Sequence, residues 1–246
     1  MIFVYSDLLR IDPLAFVVFF GAVVVALLVG ISFHEFSHAY VADALGDPTP
    51  RWAGRVSLNP LAHLDPVGTL LLFLVGFGWG RPVPVDTRHL RNGEKVGMAM
   101  VAAAGPLSNY LMAGLVGLPL KFGWVPWLPA LEPDAIDAFV RGSWSGESYV
   151  GLFLSTIALV SIILGTFNLL PLFPLDGHRV VPAFLTERAA RTYNHLQTQY
   201  GMLVLFLLMV LPLLTGGRFG PLFTVMRPII NFLARVFTGI DYDVFG

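Results

Sequence analysis

Residues 14–33 read LAFVVFFGAVVVALLVGISF, and residues 34–38 follow at once as HEFSH. The first stretch is twenty consecutive uncharged, mostly apolar positions. That matches the roughly 20 residues an α-helix needs to cross a hydrocarbon core about 30 Å thick, so it predicts a membrane span. A secretory signal would carry a basic n-region, a shorter apolar run and a small-residue cleavage site. Here Asp7, Arg10 and Asp12 precede the run and polar, helix-compatible residues follow it. The segment is therefore expected to stay attached.

The rest of the chain agrees. Of its 246 residues 56% are hydrophobic and only 13% charged, about half the charged fraction of a typical soluble domain. Further apolar stretches lie at 96–120, 149–171, 199–215 and 219–237, the last interrupted by Arg227 and Arg235. Residues 67–80 (VGTLLLFLVGFGWG) are also apolar, but number fourteen with four glycines. That is short for a crossing and suits a re-entrant segment or a small β structure at the membrane surface. The expected fold is an all-α polytopic membrane protein of about five to six transmembrane helices, with this element between the first span and the 96–120 span. No repeat or heptad divides the chain, so 1–246 reads as one membrane-embedded domain, with a core over about 14–180 and C-terminal helices over about 199–237. Trp79, Trp124 and Trp127 near span ends suit interfacial anchors.

Lys and Arg are distributed as one before the first span, six in 45–95, two in 121–148, three in 177–198 and one at Arg218. By the positive-inside rule this alternation places the N-terminus outside and the 45–95 and 177–198 loops in the cytoplasm. The net charge of -1 removes the electrostatic case for a nucleic-acid partner; the expected surroundings are lipid. With no cysteine, disulfides, iron–sulfur clusters and thiolate metal sites are excluded, and any metal must be held by nitrogen or oxygen ligands.

His34-Glu35-Phe36-Ser37-His38 has the pattern H-E-x-x-H. On a helix, residues four apart differ by about 40° in azimuth and one turn in height, so both imidazoles reach one metal ion while Glu35 stands beside it. Ionisable groups on the last turn of a span are costly unless they pair or bind something, so they mark a functional site. Catalytic zinc takes three protein ligands, and the best third candidate is Asp176 in Asn168-LLPLFPL-Asp176-Gly177-His178. Pro171 and Pro174 cannot continue the helix, so the backbone unwinds and carries Asp176 inward, with His178 as a rival ligand. If 67–80 does not cross, the spans deliver Asp176 to the same side as His34 and His38. A downstream Glu (Glu94, Glu132, Glu147 or Glu187) is a weaker alternative as the third ligand. His63 fits a role in ordering its loop, and His89 and His195 suit solvated surface positions.

HEFSH at 34–38, GPLSN at 105–109 and NLLPLFPLDG at 168–177 resemble the site-two protease family, the intramembrane zinc metalloproteases of peptidase family M50. SLNPLAHLDPVGTL at 57–70 is similar to the compact prokaryotic branch, without PDZ or CBS domains. The resemblance implies that His34, His38 and Asp176 bind Zn2+, that Glu35 is the catalytic acid/base, and that the site lies near the cytoplasmic face of a prokaryotic inner membrane. It also implies hydrolysis of peptide bonds within or near transmembrane segments of substrates such as single-span regulators or signal-peptide remnants. Asn168 and Asn109 are candidate donors to substrate or to the oxyanion, while Gly105 and Pro106 suggest close packing and a local helix break. The competing function is a metal-binding membrane protein without proteolytic activity, a zinc carrier or an inactive binder of membrane segments. A carrier places ionisable groups through several spans, whereas here they gather at one end.

Overall fold

The computed structural model describes residues 12–68, 70, 78, 80–128, 145–215 and 220–241. Its long helices are α1 (Pro13–Ala44), α2 (Glu94–Lys121), α3 (Gly146–Asn168), α4 (Glu187–Leu196), α5 (Met202–Leu214) and α6 (Pro221–Thr238). Four helical stretches are long and apolar enough to cross a membrane: Pro13–Ala44, Glu94–Lys121, Gly146–Asn168 and Glu187–Pro212. Among the described residues there is no sheet; one isolated antiparallel bridge pairs Leu64 with Gly80.

α1 starts where Asp12 Oδ1 accepts the amides of Leu14 and Ala15 at 2.9 and 3.0 Å, with Pro13 supplying a preset φ at the first position. It does not stop after the apolar run. The helix continues through HEFSH to Ala44, about 48 Å in all, so the motif lies inside the helix rather than at its end. Nothing in 34–44 breaks it: the segment contains neither Gly nor Pro, and Ser37 bonds back to Phe33 O at 2.6 Å.

α2 buries Gly97, Val101, Gly105, Asn109, Ala113 and Gly117, a stripe of mostly small residues at every fourth position that lets neighbouring backbones approach closely. The expected break at Gly105-Pro106 is absent, and α2 runs unbroken through Pro106. Packing against α1 and α3 holds the turn, in which Pro106 has no N–H to offer the Ala102 carbonyl; the neighbouring Val101 carbonyl accepts from a side chain of α1. α3 is the central helix, closed at its start by a Ser145/Ser148 capping box. One apolar cluster joins α1 to α3 through Phe19, Val23, Leu27, Leu152 and Ile157. A second joins α2 and α3 to α5 and α6 through Leu159, Ile162, Leu205, Met226 and Ile230.

The 199–215 stretch belongs to a longer helical run: α4 and α5 are joined by a π-helical turn at Gln197–Gly201. The 219–237 stretch forms α6, which is not among the four spanning stretches; it buries Leu222, Met226, Ile230 and Ala234 along one face. The re-entrant or β expectation for 67–80 falls on residues that, except for 67, 68, 70, 78 and 80, lie outside those described. Trp79 and Glu132 lie outside them too.

Candidate metal centre

Two turns of α1 and the loop after α3 build the site. His34 and His38 stand one turn apart, both buried, with ring centroids 4.6 Å apart and planes perpendicular. Leu169 ends α3, and the following turns carry Asp176 back toward α1. A Cβ on Gly177 would run into the carbonyls of Leu169 and Leu170, so only glycine after Asp176 lets the chain fold this tightly against the end of α3. Asp176 Oδ2 then lies 2.9 Å from His34 Nε2 and 3.2 Å from His38 Nε2. Tetrahedral zinc, with bonds of about 2.0–2.1 Å, spaces neighbouring ligand atoms by about 3.3 Å. The three donor atoms are thus nearly at ligand spacing, and they form the one group of three or more such residues among those described.

The surroundings fit a metal as well. His38 Nδ1 is 2.7 Å from the Val101 carbonyl, which can only accept, so that nitrogen carries a proton, and in the neutral ring it is Nε2 that keeps the lone pair a metal needs. His34 Nδ1 is 3.1 Å from the Asn109 side-chain amide. On α2, Gly105 faces both rings: a Cβ there would sit 2.5 Å from His38 Cε1 and 2.8 Å from His34 Cε1. Burial disfavours the charged form of Asp176, but the charge and hydrogen bonds of His38 and His34 outweigh it and hold the carboxyl well below its usual range. It stands ready as a carboxylate, the form that ligates metal.

Glu35 is half-buried beside its neighbours and faces Gly80, where a Cβ would sit 3.4 Å from Glu35 Oε1 and 3.3 Å from His63 O. The 55–64 loop is pinned to this place. His63 is fully buried and bonds Ser57 O through Nε2 at 2.6 Å, while its carbonyl accepts from Arg81 N at 2.7 Å. Arg55 Nη1 donates to Ala62 O and, at 3.2 Å, to Arg81 O. Burial and the nearby Arg81 lower the Arg55 pKa, and Glu35 opposes them, which places a fixed cation within range of the Glu35 carboxylate.

His178, the rival ligand, is turned to Leu175 O at 2.5 Å and packs edge-on against Phe173; it is not part of the cluster. Asn168 donates from Nδ2 to Leu164 O at 3.0 Å on its own helix. His89 sits 3.6 Å from Asp86 and 3.8 Å from Asp47, His195 is exposed, and Glu94, Glu147 and Glu187 are absent from the metal-binding group. Gln197, in the π turn, was not foreseen as a participant. It accepts from Phe173 N at 2.8 Å and donates to Pro171 O at 3.1 Å, tying α4 and α5 to the loop that bears Asp176. The only sequence signal for it is an amide side chain near a glycine, Gly201, whose Cβ would meet Phe173 Cβ at 2.8 Å.

Two buried histidines meeting a half-buried aspartate, with a glutamate next to the first histidine and apolar helices around them, define a membrane metallohydrolase. Comparison with known proteins agrees. The model of Peptidase family M50 matches residues 139–212. The chain is 37% identical over 190 residues, 77% of its length and 80% of the relative's, to "Putative zinc metalloprotease YwhC" of Bacillus subtilis. It is 32% identical over 216 residues, 85% of its length and 74% of the relative's, to "Putative zinc metalloprotease Rip2" of Mycolicibacterium smegmatis. No solved structure matches. The chain belongs to peptidase family M50, and it is an intramembrane zinc metalloprotease.

Proposed function

We propose that this enzyme hydrolyses peptide bonds within or near the transmembrane segments of other membrane proteins, with zinc held by His34, His38 and Asp176 and with Glu35 as acid/base. The observation that carries the assignment is the approach of Asp176 Oδ2 to 2.9 and 3.2 Å from the two Nε2 atoms directly beside Glu35. When bound, zinc polarises the scissile carbonyl and makes water acidic enough to attack near neutral pH. Glu35 takes the proton of the attacking water and delivers it to the departing amine. Asn168 keeps the second hydrogen of its amide for a substrate carbonyl. A helical substrate hides its carbonyls, so it must be unwound where it meets the site.

The site sits close to one membrane boundary: His34 lies about 32 Å along α1 from Pro13, about the thickness of the hydrocarbon core. The charge alternation supports the cytoplasmic side for that boundary, and the family resemblance supports a prokaryotic inner membrane and single-span regulators or signal-peptide remnants as substrates. With α6 counted as a further crossing, the helices number about five. Residues 1–246 act as one domain.

The test is detergent-purified protein assayed for bound zinc and for cleavage of a panel of single-span substrates. Glu35→Gln is expected to keep zinc and to lose about 10²–10⁴-fold in rate, and Asp176→Ala to lose zinc. Cleavage by Glu35→Gln at the wild-type rate removes the assigned base. Zinc binding by the wild type with no cleavage of any substrate favours the non-proteolytic alternative, for which Glu35 has no use.

A further inference from the structure

The two zinc-binding histidines are fastened from behind in different ways. His38 Nδ1 meets a backbone carbonyl, that of Val101 at 2.7 Å, and a carbonyl forces the proton onto Nδ1. His34 Nδ1 meets the carboxamide of Asn109, whose nitrogen is placed 3.1 Å away. Asn109 is 1% exposed and His34 7%, so neither exchanges its partner for bulk water. The Asn109 side-chain oxygen, also buried, has no hydrogen-bond partner.

These facts are inconsistent with a metal site as long as the amide nitrogen faces the ring. An N–H pointing at Nδ1 needs the lone pair there, which moves the imidazole proton to Nε2, the atom 2.9 Å from Asp176 Oδ2. An Nε2–H cannot ligate zinc. The two ends of a carboxamide have almost the same shape, and which end is which is decided by the hydrogen-bond network. Turned by half a rotation, the Asn109 oxygen accepts the His34 Nδ1 proton, the amide nitrogen takes the place where the oxygen had no partner, and His34 carries its proton on Nδ1 as His38 does against the Val101 carbonyl. We propose that Asn109 is a positioning residue of the metal centre: its side-chain oxygen accepts the Nδ1 proton of His34 and thereby orients the ring and presents the Nε2 lone pair to zinc. This rests on the zinc-site assignment above.

The assignment differs from an oxyanion role. Nδ1 and Nε2 lie on opposite sides of the imidazole, so a group bonded to Nδ1 is separated by the ring from whatever Nε2 holds. Asn109 also follows Gly105 by one turn on the buried stripe of α2, so one helix face supplies both the clearance for the rings and the acceptor behind one of them.

The experiment compares wild type, Asn109→Asp and Asn109→Leu as full-length protein in detergent. Zinc affinity is measured by competition with a chelator, coordination by the visible spectrum of the cobalt-loaded protein, and folding by thermal melting of the metal-free form. Asn109→Leu is expected to bind zinc about 10–100-fold more weakly while its metal-free melt stays cooperative. Asn109→Asp, which keeps an acceptor at the same place, is expected to retain wild-type affinity within about threefold and the wild-type cobalt spectrum. If Asn109→Leu does not yield folded protein, Asn109→Ser supplies the same reading, because its shorter side chain does not reach Nδ1. Wild-type zinc affinity in the variants that lack the acceptor overturns the proposal, as does an Asn109→Asp variant as weak as Asn109→Leu. So does loss of cleavage in Asn109→Leu with zinc affinity intact, which would put Asn109 on the substrate side. Failure of the zinc assignment itself is read separately: the wild type then binds no stoichiometric zinc, or His34→Ala does not weaken it.

Discussion

Gly105→Ala should empty the metal site while leaving the helix bundle standing. The Cβ it adds would sit 2.5 Å from His38 Cε1 and 2.8 Å from His34 Cε1, whereas carbon atoms in contact rest about 3.5–4.0 Å apart. One or both rings must therefore retreat by about 1 Å. Metal–ligand distances tolerate only about 0.2 Å, and the Val101 and Asn109 bonds behind the rings leave no room for a rigid withdrawal. Disturbing an outer partner of a ligand already costs about 10–100-fold in metal affinity. Displacing the ligands themselves should exceed that, so the expected loss is at least about 100-fold, or about 2.7 kcal/mol. The helix gains about 1 kcal/mol from replacing glycine, while overpacking this buried position costs about 1–3 kcal/mol, so the metal-free protein should still melt cooperatively, at most about 2 kcal/mol less stable than wild type. Gly114→Ala, on the same helix, is the control: its Cβ would meet Phe237 at 3.5 Å, an ordinary contact, and zinc binding should be unchanged. The assay is zinc titration against a competing chelator, with metal-free melts of all three proteins. Wild-type zinc affinity in Gly105→Ala would refute the reasoning, because it would mean that the rings do not stand where the geometry puts them.

Gln197→Leu removes both bonds to the loop bearing Asp176; thermal melting in detergent should show a loss of about 1–3 kcal/mol, with wild-type stability refuting the tie. Asp47 is fully buried and accepts from Thr49 N, Thr49 Oγ1 and Asp86 N. Asp47→Ala should therefore destabilise the 45–93 loop by roughly 3 kcal/mol, seen as faster amide exchange there. The Arg88 side chain beside Asp86 holds that carboxyl at about 2, below its ordinary 3.8. The pair's contribution is thus present above pH ~4 and is lost as pH falls toward ~2. Because Arg88 is exposed and Asp86 only half-buried, the melting difference between wild type and Asp86→Asn should be small, shrink in high salt and vanish in acid. Stripping zinc with a chelator should lower the melting temperature of wild type but not of Asp176→Ala, since only a protein that binds the ion is stabilised by it.

The parts of the site legible in the sequence share one property: their geometry is local. H-E-x-x-H needs only the 3.6-residue period to put two imidazoles on one face, and an Asp-Gly after two prolines announces an unwound segment. What stayed hidden involves contacts between residues far apart in the chain. Val101 O and His38, Asn109 and His34, Gly105 and both rings, and Gln197 and Phe173 each join different helices or loops. Asn109 could be named as important without its partner being known. Asp176 was the preferred candidate, with His178, two residues on, as its rival; the turn at Gly177 directs the first to the rings and the second to Leu175 O. The end of α1 was misplaced because hydropathy marks where lipid ends, while a helix ends only where its hydrogen bonding is broken, and that comes after Ala44.

The sequence by itself determined that this is a helical membrane protein with a histidine pair and a glutamate on one helix, because apolar run length and helical period are properties of adjacent residues. Only the tertiary structure decided which oxygen lies against the two imidazole nitrogens, which groups meet those rings from behind, and that Gly105 and Gly177 provide the needed space. Those depend on how close one backbone comes to another, a distance that side-chain volumes across the whole bundle settle together.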